Sequence, residues 1–147
     1  MPQVDFYVVE DADKRAHDVV ICRLINKIWQ RGLRVLLYVE DAERAGELDS
    51  LLWTFQDVSF VPHSVLAGAD GNADVPILIG HGSRFAPADV LVNLGNLPLA
   101  DCQGYDRVVE SAGYDAVSRN AARQRFRDWQ QAGINPGTQR VNASDRN

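Results

Sequence analysis

The chain has 147 residues, 46% apolar and 24% charged, which fits one globular domain with a full core and excludes a disordered or fibrous chain. Its formal charge of −5 argues against a surface built mainly to hold a nucleic-acid backbone, which needs a net basic footprint. Cys22 and Cys102 have no second ligand at metal-type spacing, so neither a zinc site nor a disulfide framework is expected. The first ten residues lack the basic flank and apolar run of a signal peptide, and no stretch reaches the length of a membrane span. The expectation is a cytoplasmic domain with no metal, no cofactor and no membrane contact.

Val4, Phe6 and Val8 alternate and predict an opening strand. Asp11 and Asp13 offer N-cap oxygens to a helix from about Lys14 to Arg31, in which Val20, Leu24, Ile25, Ile28 and Trp29 recur at helical spacing and Gly32 marks the end. The continuous apolar run Val35–Val39 predicts a strand covered on both faces, as in a parallel sheet. Asp41 caps a second helix with Ala45, Leu48, Leu51, Leu52 and Phe55 as its buried stripe. Further strands are predicted at Val75–Ile79, Val90–Leu94 and Arg107–Glu110, separated by Gly- and Pro-bearing loops, and a last helix runs from about Ala116 to Ala132. The sum is a single three-layer, Rossmann-like α/β domain over residues 1–134 with a mostly parallel sheet, followed by a polar, frayed tail over 135–147.

Such a sheet invites a search for a nucleotide at the first strand–helix turn. That turn, Val8 to Asp13, has no glycine to let the backbone approach a pyrophosphate, and its acids would repel one. His81, Ser83 and Asp89 suggest a nucleophile set, but no elbow or ordered triad surrounds Ser83, and a polar loop is the simpler reading. Around Leu51-Leu52-Trp53 and Phe60-Val61-Pro62-His63 the aromatic density exceeds what one helix stripe needs. Trp53 lies off the face of Leu48 and Leu52, which points it to the surface.

The last helix is the sharpest anomaly. It carries Arg119, Arg123, Arg125 and Arg127 against Asp115 and Asp128, a net positive charge in an acidic chain. Arg119 and Arg123 are i, i+4 and share a face that Phe126 continues, so two guanidinium groups border an aromatic edge. That combination suits an acidic ligand ending in a hydrophobic group, although on spacing alone a solvated arginine face with Phe126 in the core is the simpler reading.

At this point the sequence resembles the chi subunit of bacterial DNA polymerase III, a clamp-loader component. The resemblance runs through Phe6-Tyr7, Gly32-Leu33-Arg34-Val35-Leu36, Leu48-Asp49-Ser50-Leu51-Leu52-Trp53, Phe60-Val61-Pro62-His63, Ala122-Arg123-Gln124-Arg125-Phe126 and Ala132-Gly133-Ile134-Asn135. It implies a non-catalytic adaptor that binds the acidic, phenylalanine-ending tail of the single-stranded-DNA-binding protein. By that resemblance the tail site is Arg119, Arg123 and Phe126, where the family often has Lys, Arg and Tyr, closed by Gly133, Ile134 and Asn135; the charge of the helix adds Arg125 or Arg127 as expected helpers in drawing the acidic tail. It further implies a surface of Trp53, Phe60, Pro62 and His63 for the psi subunit, or for another partner such as a helicase-like repair protein. Nucleic acid is then reached only indirectly. Two other readings stand beside it: a nucleotide-dependent doubly wound enzyme, and a direct single-strand binder that uses the Arg-rich helix and Trp129.

Overall fold

The computed structural model describes residues 2–10, 13–54, 63–65, 75–83 and 86–143. In chain order the elements are β1 (Gln3–Val9), α1 (Lys14–Gln30), β2 (Val35–Val39), α2 (Ala42–Thr54), β3 (His63–Val65), β4 (Ile77–His81), β5 (Val90–Asn93), α3 (Leu99–Cys102), β6 (Arg107–Ala112), α4 (Ala116–Gln131) and β7 (Gly137–Val141). The strands form one seven-stranded sheet in the order β3-β4-β2-β5-β6-β1-β7, and every pairing is parallel. This is the three-layer, Rossmann-like α/β architecture that the alternation of strand and helix predicts.

Strand periodicity divides the core into two. In β2 the side chains of Val35, Leu37 and Val39 pack on one face with Ile21, Ile25 and Ile28 of α1 and Leu48 and Leu52 of α2. Leu36 and Tyr38 point to the other face, among Leu97, Tyr105, Ala122 and Trp129 under α3 and α4. All five residues of β2 are buried, as a central strand covered on both sides requires. Three aspartates start the long helices. Asp13 accepts the Arg15 and Ala16 N–H groups, Asp41 accepts Arg44 N–H at 2.8 Å, and Asp115 accepts Ser118 N–H at 2.7 Å. The other cap expected for α1, Asp11, lies outside the described residues, as does Phe55 of the α2 stripe.

Some boundaries differ from the sequence reading. The strand placed at 75–79 occupies 77–81, that at 107–110 continues to Ala112, and a short helix, α3, lies inside the loop expected at 95–104. The largest difference is β7. Residues 137–141, read from sequence as part of a polar tail, pair with β1 from Asp5↔Gly137 to Val9↔Val141. Its first four residues are exposed, so β7 has no apolar alternation to read; backbone pairing at a sheet edge needs none.

α1, α2 and β6 are joined by a buried polar cluster. Asp18, 6% exposed, receives both ends of the Arg44 guanidinium at 2.6 Å, and His17 Nδ1 lies 2.9 Å from the same carboxylate. His17 Nε2 is 3.3 Å from Ser111 Oγ. Burial alone would raise the Asp18 pKa, but the hydrogen bonds of His17 and Arg44 and their charge outweigh it and hold the carboxyl below its ordinary value. A lowered folded pKa stabilises the fold above the unfolded value, near pH 4, and that contribution is lost as pH falls through the folded one. Melting temperature against pH therefore falls less steeply below about pH 4 in Asp18→Asn, from a lower plateau at neutral pH; parallel acid limbs in variant and wild type would contradict this role.

Candidate protein-interaction site

Helical spacing puts Ala122, Arg125 and Trp129 in register, and that row of α4 faces the sheet. Glu110, 2% exposed near the end of β6, waits beneath it. Its Oε2 accepts Arg125 Nε at 2.7 Å and Trp129 Nε1 at 2.8 Å, with Arg125 Nη2 also at 2.7 Å. Its Oε1 accepts Asn93 Nδ2 at 3.1 Å, and Arg125 Nη1 reaches Asn96 Oδ1 at 3.2 Å. Burial alone would lower the Arg125 pKa, but the Glu110 hydrogen bonds and charge raise it on balance, so the guanidinium stays charged. Arg125 is thus a structural ion-pair partner. The expectation that it helps hold an outside ligand is corrected, because its fork is already taken inside the domain.

With Arg125 turned inward, the other three arginines of α4 follow at i, i+4 and i+8. Arg119 is half-buried, and its Nε donates to the Gly113 carbonyl at 3.0 Å. Arg123 and Arg127 are exposed, each touching a neutral neighbour one turn back: Asn120 Oδ1 at 3.2 Å and Gln124 Oε1 at 3.0 Å. Phe126 is half-buried, its ring tilted 56° to Phe6 at a centroid distance of 5.2 Å. On the helix it follows Arg119 at i+7 and Arg123 at i+3.

The chain leaves α4 by a tight turn. Gly133 takes φ +90°, a conformation that favours glycine, donating its N–H to Gln130 O while Ile134 N–H returns to Trp129 O. Ile134 is half-buried against the Trp129 side of the core, and Asn135 is exposed. Arg119, Arg123 and Phe126 therefore share one helix face, and Gly133, Ile134 and Asn135 follow at its C-terminal end.

The second predicted surface is described in part. Trp53, 49% exposed on α2, has its ring 4.7 Å from that of His63. His63 is buried, its Nε2 3.0 Å from Asp49 O and 3.2 Å from Asp49 Oδ1. Phe60 and Pro62 lie outside the described residues.

The catalytic sets weighed in the sequence do not assemble. Asp89 precedes β5, where its carboxylate accepts Arg34 N–H at 2.8 Å; His81 and Ser83 lie at the far end of β4, with β2 between the two strands. Through β2, Ile77 is level with Val90, so five residues, roughly 16 Å along the strands, separate Asp89 from His81, and Ser83 is further still. Both cysteines are buried. Burial, reinforced by Glu110, pushes the Cys102 thiol up to about 11, and burial pushes Cys22 above its ordinary value, so neither is a thiolate at neutral pH. Among the described residues no group of three or more His, Cys, Asp or Glu side chains is placed to hold a metal, and no helix is long and apolar enough to cross a membrane.

The sequence reading missed Glu110, Asn93 and Asn96. A signal for their partner was present: Arg125 stands three residues after Ala122 and four before Trp129, on the buried stripe itself.

Residues 1–137 match the family model described as DNA polymerase III chi subunit, HolC. The chain is 36% identical over 134 residues to DNA polymerase III subunit chi of Pseudomonas aeruginosa, covering 90% of this chain and 92% of that protein. It is 28% identical over 143 residues to the subunit of the same name from Escherichia coli, covering 94% and 97%. Among solved structures, the C-terminal domain of the DEAD-box protein Dbp5 matches with a TM-score of 0.59 at 15% identity, over 95% of this chain and 90% of that one, a likeness of fold alone.

Removing the Glu110 charge while keeping its shape leaves Arg125 buried without a counter-charge. Glu110→Gln is expected to cost about 3–5 kcal/mol in denaturant unfolding, roughly 10 °C in melting temperature, whereas Arg123→Ala stays within about 0.5 kcal/mol. Equal stabilities for the two variants would remove Glu110 as the anchor of α4.

Proposed function

The chain belongs to the DNA polymerase III chi subunit family, and from that premise we propose that it is a non-catalytic adaptor of the replicase, bridging the clamp loader, through psi, to the acidic C-terminal tail of the single-stranded-DNA-binding protein. The observation that carries this reading is the outer face of α4. Two arginines with no carboxylate partner among their described contacts border a half-buried phenylalanine, and the turn at Gly133 follows.

The physics of such a site is capture followed by insertion. Acidic residues of the tail are drawn to Arg119 and Arg123, with Arg127 one turn further along the same row. The terminal phenylalanine packs against the open edge of Phe126 and Ile134, and its carboxylate takes a guanidinium fork. Replacement of the family's tyrosine by Phe126 keeps the ring and forgoes a hydroxyl donor. A contact of this size is of micromolar order and weakens as salt screens it. Several tails on an oligomeric partner raise the effective concentration and offset the modest single-site affinity.

Trp53, exposed beside His63, supports a second contact on α2, read as the psi surface. An exposed aromatic of this kind is a common anchor of protein interfaces.

Titration of the folded chain with a labelled acidic peptide ending in Pro-Phe measures the first contact directly. Arg123→Glu is expected to abolish binding while leaving the circular dichroism spectrum and melting temperature near wild type; unchanged affinity sinks the assignment of α4. Trp53→Ala is expected to spare that peptide and to weaken capture of purified psi. Retained psi capture moves the second surface elsewhere.

A further inference from the structure

β1 and β6 are neighbours in the sheet, yet their chains leave for opposite faces, β1 into α1 and β6 into α4. Such a divergence opens a crevice at the carboxyl edge of a parallel sheet, the edge where open α/β folds hold small ligands. A pocket of about 260 Å³ lies there, and His17 of α1 and Ser111 of β6 meet in its wall. Strand alternation sets the meeting. Glu110 points under α4, so Ser111 points to the α1 side, where His17 stands in the first turn of the helix.

The polar cluster that joins α1 to α2 and β6 also has a chemical order. Asp18 is held ionised, burial being outweighed by the hydrogen bonds of His17 and Arg44 and by their charge. An ionised carboxylate only accepts, so His17 Nδ1, 2.9 Å from Asp18 Oδ1, is the protonated nitrogen of the neutral ring. Nε2 then carries the lone pair, and Ser111 Oγ, 3.3 Å away, donates to it. Tyr114 packs edge-on against the imidazole, with ring centroids 5.5 Å apart. Carboxylate, imidazole and hydroxyl in this order make a serine nucleophilic, because the base is within hydrogen-bond reach and a third group fixes its tautomer. Ser111 is only half-buried and opens on the pocket. Donors for a developing oxyanion line the same space. Asn96 gives its Oδ1 to Arg125 Nη1, which leaves its amide nitrogen unused among the described residues, and Val117 and Ser118 bring the positive end of α4 to the rim.

We propose that Ser111, His17 and Asp18 form a hydrolase site that cleaves small uncharged carboxylic esters, an activity separate from the non-catalytic replicase role. Ser111 Oγ adds to the ester carbonyl carbon as its proton passes to His17 Nε2. The bond from the acyl carbon to the alcohol oxygen then breaks, the same proton goes to the departing oxygen, and the alcohol leaves an acyl group on Ser111. Water gives a proton to Nε2 and attacks that acyl carbon; the carboxylic acid departs and Ser111 Oγ takes the proton back. Asp18 is a positioning residue that acts through the imidazole ring. Size and charge select the substrate. A volume of about 260 Å³ is at the small end for a ligand pocket, and Leu94, Val117 and Ala121 give it an apolar wall that suits a short acyl chain. Glu40 and Asp115 line it with no ion pair among the described residues, which disfavours an anionic ester.

The test treats the full chain with two probes, a fluorogenic acetate ester and a fluorophosphonate. The fluorophosphonate forms an Oγ–P bond as fluoride leaves, and tandem mass spectrometry should place a single adduct on Ser111 and none on Ser118. Ser111→Ala is expected to lose the adduct and to lower ester turnover to the buffer rate, and His17→Gln to slow both reactions about 100-fold or more. Ser83→Ala, on an exposed loop after β4, should change neither. A readout that does not depend on losing activity comes from Ser111→Cys. With His17 as base, the new thiol should be alkylated by iodoacetamide at pH 7 about tenfold faster than free glutathione, while the buried Cys22 and Cys102 stay unmodified. A fluorophosphonate adduct that is absent or scattered over other residues, ester turnover undiminished in Ser111→Ala, or a new thiol no faster than glutathione each overturns the proposal.

Discussion

Glu110 lies in an interior strand, under a helix, with both oxygens occupied by three side chains from two elements, Asn93 of β5 and Arg125 and Trp129 of α4. A carboxylate so placed is unfavourable alone, and so is the guanidinium above it; together, with Trp129 and Asn93 supplying further donors, they are satisfied. The fork of Arg125 also has direction. It fixes the rotation of α4 about its own axis, because a helix can present only one of its rows to a single buried acid. Once Arg125 is spent inward, Arg119, Arg123 and Arg127 must lie on the outer side and Phe126 at the margin against Phe6. The charged face of this domain is therefore set by a bond in its interior.

The same division of labour holds on the other side of the sheet. Asp18 takes both nitrogens of Arg44 and joins α1 to α2, while His17 extends the cluster to Ser111 on β6. Buried pairs on each face lock the helices, and Arg123 and Arg127 on α4 are left exposed beside neutral Asn120 and Gln124. Local positive charge on an acidic protein favours acidic partners met in a chosen orientation, with the net charge keeping other polyanions away.

Most of the fold was legible because β2, β4 and β5 read as apolar runs and α1 and α2 as amphipathic stripes bounded by Asp and Gly. β7 was not, since an exposed edge strand such as Gly137–Val141 buries little and leaves no periodic trace. Spacing alone grouped Arg119, Arg123 and Phe126 correctly on one face, but it could not tell which of four arginines is buried, because that depends on an acid far away in sequence.

The most direct measurement is nitrogen-edited NMR of the arginine side chains during addition of an acidic peptide ending in phenylalanine. The Arg125 Nε–H, held by Glu110, should exchange slowly with solvent and keep its chemical shift throughout. The resonances of Arg119 and Arg123, and the backbone amides of Phe126 and Gly133, should move with a common binding curve. A fast-exchanging Arg125 Nε–H that shifts with the peptide while Arg123 stays still would mean that α4 is turned otherwise, and the account built on Glu110 would fall.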